Sequence, residues 1–94
     1  MKLLVAIAAA SMSLVAAAPA QSQEALAKSA GCLNCHADDS KKVGPSFKDI
    51  AAKNKGNADA EAKIVTEITT AKGHPKVNAS ADDVKSLVKW VLSQ

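Results

Sequence analysis

The chain has little from which to build a large structure. Its 94 residues hold two cysteines, one phenylalanine, one tryptophan and no tyrosine. Two cysteines exclude a disulfide-rich scaffold, and the length excludes a multidomain enzyme. The net charge is only +3 and the lysines are scattered. Nucleic-acid binding is therefore not expected, since it wants a concentrated basic surface with stacking rings. Methionine occurs only at Met1 and Met12. There is one apolar run, Leu3 to Ala18, so a polytopic membrane protein is excluded. No segment alternates apolar and polar residues long enough for a strand.

The beginning of the chain reads as an address. Met1-Lys2 supplies a positive charge, and Leu3 to Ala18 is almost wholly apolar. Ala18-Pro19-Ala20 is then a small-x-small site before polar Gln21-Ser22-Gln23-Glu24. That order is a secretory signal peptide. The run is short and alanine-rich for a membrane span. Residues 1–20 are thus expected to be a signal peptide cleaved after Ala20, with 21–94 forming one domain. A periplasmic location and no membrane span after cleavage follow. Both methionines fall within the leader.

The rest reads as all-α. Glu24 to Ala30 is rich in helix formers, with Gly31 at its end. Phe47 to Lys53 places Phe47, Ile50 and Ala51 on one face. Asn54 to Asn57 is a turn. Asp59 to Lys72 carries Ala60, Ile64, Ile68 and Ala71 at helical spacing, with Val65 beside them, and Gly73 and Pro75 stop it. Ser80 to Ser93 opens on a cap, Ser80-Ala81-Asp82-Asp83, in which Ser80 can bond an otherwise unpaired N–H. Its stripe is Val84, Leu87, Val88, Val91 and Leu92. So few large apolar residues make a marginal core for a domain of this size.

Cys32-Leu33-Asn34-Cys35-His36 suggests what completes that core. Two thiols at this spacing can form thioether links to the two vinyl groups of one haem, and the adjacent imidazole can ligate its iron. A thioredoxin-like pair wants a strand-to-helix context, which is missing. A zinc site wants more ligands than two cysteines and a histidine, with only His74 left to supply one. The expected cofactor is one haem c attached through Cys32 and Cys35, with His36 on the iron.

With these residues in place, the chain resembles a class I cytochrome c of the small bacterial c-551/c-552 (c8) type. The resemblance spans nearly all of 21–94. It runs through Gly31–His36, Val43-Gly44-Pro45-Ser46-Phe47-Lys48-Asp49-Ile50-Ala51-Ala52-Lys53, and Val84 to Gln94. It implies about four helices around one covalently bound haem. It also implies that the Pro45 carbonyl accepts a hydrogen bond from His36, fixing its tautomer. The first helix would cross the last, with Leu26 and Ala30 near Leu87 and Trp90, where Trp90 serves mainly as packing.

The chain departs from the family in one place. Members use a methionine as the second axial ligand, in a Pro-Met-Pro segment before the last helix. Here that loop is shorter and holds no methionine. Counted back from Ser80, the family position falls on His74, within Gly73-His74-Pro75. The expectation is a haem whose metal ligands are His36 and His74. Lys72, Lys76 or Asn78 as ligand, or a five-coordinate iron, are the alternatives. Imidazole in place of a thioether lowers the reduction potential.

The expected function is a one-electron carrier and not an enzyme, because nothing catalytic stands beside the haem. Redox proteins, such as a periplasmic dehydrogenase or oxidase, are the expected partners, and the chain could also be a bound subunit of one. Lys41, Lys42, Lys48, Lys53, Lys55, Lys72 and Lys76 are candidates for a basic docking rim, or serve ordinary solubility. A different class of function is a haem protein that binds or senses NO, CO or O₂ through a displaceable distal ligand.

Overall fold

The computed structural model describes residues 20–94, so the leader expected over 1–20 lies outside the described residues but for Ala20. Four helices make up the fold: α1 (Ala20–Ala30), α2 (Phe47–Lys53), α3 (Ala60–Thr70) and α4 (Ala81–Leu92), with a 3-10 turn at Cys32–Asn34. Among the described residues there is no strand, only a single bridge between His36 and Lys41. The all-α expectation holds.

α4 is the hub against which α1, α2 and α3 all pack. Its stripe makes this possible: Val84, Leu87 and Val88 are buried, while Val91 and Leu92 are partly so. Burying one such side chain is worth about 1.5–3 kcal/mol. α1 crosses α4 through Ala27, Ala30 and Leu87, with Leu26, Trp90, Cys32 and Ala79 packed around them. Small alanines let the two helices approach closely. The crossing is the one the resemblance implied, with Trp90 as packing against it.

Three local details differ from expectation. α1 starts at Ala20 rather than Glu24, because the Gln23 amide donates to Ser86 Oγ on α4 at 2.9 Å and ties the extra turn down. α3 stops at Thr70, two residues short of Lys72. Ala71 there takes a left-handed conformation (φ 54°), and its N–H closes the helix on the Glu67 and Ile68 carbonyls. Ala71, expected on the buried stripe, is therefore exposed. Finally, α2 has a cap like that of α4. Ser46 Oγ accepts from Asp49 N at 3.1 Å, as Ser80 Oγ accepts from Asp83 N at 3.2 Å. The Ser46-x-x-Asp49 spacing carried that signal, and Ser46 is the buried one of the pair, at 2% exposure.

Candidate functional site

The helices surround a cavity of about 840 Å³, within the range of small-molecule and cofactor sites. Ile50 of α2, Ile64 and Ile68 of α3, and Val84, Leu87 and Val88 of α4 form its apolar wall. Cys32, Cys35, His36, Pro45 and His74 reach the same cavity from the loops. All five residues singled out in the sequence thus meet in one place.

The attachment loop follows directly from α1. The chain turns at Gly31 and continues as the 3-10 turn, where the N–H groups of Cys35 and His36 both bond the Cys32 carbonyl. Neither cysteine is in a disulfide, and both are partly buried. Burial pushes the Cys32 thiol up from its ordinary value, against a smaller lowering by a backbone hydrogen bond.

His36 is positioned from three sides. Its Nδ1 lies 2.6 Å from the Pro45 carbonyl. A carbonyl only accepts, so Nδ1–H donates and the lone pair is left on Nε2. The buried Phe47 ring stacks beside the imidazole, with centroids 5.5 Å apart and planes 25° apart. Gly44 closes the third side. A Cβ there would lie 2.5 Å from His36 Cε1 and 2.9 Å from Nδ1, so only glycine lets the backbone pass this close. Phe47 in turn meets Trp90 edge-on at 5.5 Å. The roles of Gly44 and Phe47 toward His36 went unrecognised in the sequence. The Gly-Pro pair before the cap was the available signal.

His74 comes from the opposite side, on a strap running from Ala71 to Ala79. Its Nδ1 bonds the carbonyl of the next residue, Pro75, at 2.7 Å. As at His36, Nδ1–H donates and Nε2 carries the lone pair. Among the described residues neither Nε2 has a hydrogen-bond partner. The two rings stand 6.1 Å apart, centre to centre, with planes 6° from parallel. Lys72, Asn78 and Lys76, the alternative ligands, are all exposed, and of these Lys76 and Asn78 border the cavity.

The residues fit the expected macrocycle. Two unpaired cysteines lining the cavity suit thioether links, an imidazole nitrogen without a hydrogen-bond partner suits the iron, and the apolar wall suits the ring. A bare metal ion is a poorer match, since among the described residues no group of three or more His, Cys, Asp or Glu could hold one. Nor is any described helix long and apolar enough to cross a membrane.

Known proteins place this arrangement in a family. The family model described as Cytochrome c matches residues 21–94. Cytochrome c-551 of Pseudomonas aeruginosa is 43% identical over 82 residues, covering 80% of this chain and 79% of that protein. The crystal structure of the class 1 cytochrome MtoD from Sideroxydans lithotrophicus ES-1 superposes with a TM-score of 0.71 at 36% identity, covering 82% of this chain and 97% of that one. Wild-type Nitrosomonas europaea cytochrome c552 superposes at 0.65 with 37% identity, covering 74% and 96%.

Proposed function

This chain belongs to the cytochrome c family and carries one covalently attached haem c, and from that premise we propose a periplasmic one-electron carrier whose iron is held between His36 and His74. When bound, the haem supplies an iron centre that gains and loses a single electron. Cys32 and Cys35 tether it. Pro45, through its carbonyl, keeps the His36 proton on Nδ1 and makes Nε2 a better donor. Pro75 does the same for His74. The apolar wall lines the space for the ring, and the likeness to cytochromes c supports a carrier rather than an enzyme.

The observation that carries the axial pair is the geometry of the two imidazoles. A metal bonded to an imidazole nitrogen lies about 2.0–2.1 Å from it. Each ring centre is roughly 1.2 Å behind its nitrogen, so one metal held in line between two imidazoles would have their centres about 6.4 Å apart. The rings stand 6.1 Å apart, each with Nε2 unengaged among the described residues. Two imidazoles favour oxidised iron more than an imidazole and a thioether do, so the potential is low for the family. The leader motif at 1–20 supports export to the periplasm, and the exposed lysines of the loops support encounter with acidic redox partners.

The competing function, a sensor of NO, CO or O₂, is not favoured, because the relatives that match most of the chain are cytochromes c.

Optical and electron paramagnetic resonance spectra of the holoprotein, oxidised and reduced, test the axial pair. Wild type should be low-spin with a bis-imidazole signature, and His74→Ala should lose it. A high-spin wild type, or a spectrum unchanged by His74→Ala, would remove His74 from the iron.

A further inference from the structure

The cavity wall holds one acid. α4 presents it with apolar side chains such as Val84, Leu87 and Val88, and α2 with Phe47 and Ile50. The loops bring Cys32, Cys35, His36, His74 and Lys76. α3 brings Ile64, Ile68 and Glu67.

Glu67 is placed against the interests of the fold. It is partly buried. It lies in the last turn of α3, where the helix dipole is negative and an acid is disfavoured. Its backbone carbonyl caps the helix by accepting from Lys72 N at 3.1 Å, but any residue could do that. Among the described residues the ion pairs are Lys48 with Asp39 and Lys89 with Glu61. Lys63 one turn back, and Lys72 and Lys76 on the strap, leave the Glu67 carboxylate without a partner.

We propose that Glu67 tunes the electron affinity of the haem site, its unpaired negative charge favouring the oxidised iron and holding the reduction potential down. An iron held in this cavity would differ by one charge between its two states. A charge on a partly buried wall acts on the more positive state through a medium of lower dielectric constant than water. The inference rests on the haem occupying this cavity, and not on which residue is the distal ligand.

Redox titration of the holoprotein at neutral pH tests it with a graded series. Glu67→Gln, nearly the same shape without the charge, should favour the reduced form about threefold to tenfold, which is about 30–60 mV for one electron. Glu67→Lys should move the potential further in the same direction. Glu61→Gln is the control, on the same helix but paired to Lys89 at 3.9 Å and off the cavity wall; its shift should be smaller. A Glu67→Gln shift no larger than that of Glu61→Gln would overturn the proposal. So would a Glu67→Lys shift in the opposite direction. Spectra recorded on each variant separate this from ligation: wild-type bands with a moved potential mean tuning by charge, and altered bands mean a change at the iron, which counts against it. A wild type lacking haem bands altogether would instead sink the haem assignment of the cavity.

Discussion

The two straps that bring histidines to the cavity are built differently. The strap after His36 is knitted together along its length by bonds that close back on its own start and on the attachment turn. Gly44 N donates to the Cys35 carbonyl at 2.7 Å, Phe47 N to Ala37 at 2.9 Å, and Lys48 N to Asp38 at 3.1 Å, while Lys42 Nζ reaches the Leu33 carbonyl at 3.0 Å. It then runs into α2 through a buried cap. The strap carrying His74 is tied at its ends. Lys72 N bonds back to α3, Asn78 N donates to the Ala30 carbonyl at 3.2 Å, and between them His74 is steadied by its own neighbour Pro75. A side chain held on several sides by a densely bonded loop and a buried ring keeps its place as long as that packing does. One held by the next residue is oriented but not located, so its position depends on what it binds. Local opening begins where such anchoring is sparse. The expectation is that the His36 side is the fixed half of the site and that the His74 side opens first.

The largest test of this contrast removes each ring in turn. His36→Ala should sharply lower the yield of folded holoprotein, because the stacked Phe47 and the Pro45 carbonyl both lose their partner. His74→Ala should fold and retain its haem, with an unfolding midpoint much nearer to wild type. Equal losses in thermal unfolding and haem content would erase the distinction.

A finer test alters one glycine in each strap. Gly44→Ala puts a methyl group into the His36 ring, and overpacking of this kind costs about 1–3 kcal/mol. It should also disturb the absorption bands, as the ring is pushed from its place. In the other strap, Gly73 has φ +76°, and a methyl group added there would stand in open space. Gly73→Ala should cost only the left-handed backbone penalty of about 1 kcal/mol. Denaturant unfolding measures both. A larger loss for Gly73→Ala would reverse the ranking of the straps.

The smallest effect concerns the caps that follow the two straps. Ser46→Ala should destabilise more than Ser80→Ala. An exposed cap is worth about 1 kcal/mol, whereas Ser46 is buried at 2% exposure and leaves Asp49 N without a nearby substitute. Equal values would show that burial adds nothing to the cap here.

Much of this fold was legible in the residues. The stripes on α2 and α4 were visible because a helix repeats its facing residues every three or four positions. α2 was expected and found over Phe47–Lys53. The α4 cap was visible as Ser80-x-x-Asp83. What escaped was whatever depended on another element: the extra turn of α1 tied to Ser86, the early end of α3 at Ala71, and the contact of Gly44 with the His36 ring. A motif lists groups that are near in sequence, but it does not report what a distant segment presses against them.

By itself, then, the sequence determined the helical class, the cap of α4, and the grouping of Cys32, Cys35 and His36, because each depends on short-range spacing along one stretch of backbone. Tertiary structure alone decided that the ring of His74 stands parallel to that of His36 at 6.1 Å, that Gly44 must lack a side chain, and that Glu67 faces the cavity. Those distances arise from packing α1, α2 and α3 onto α4. Close packing fixes how far apart two loops end, and that separation is written in no single segment of the chain.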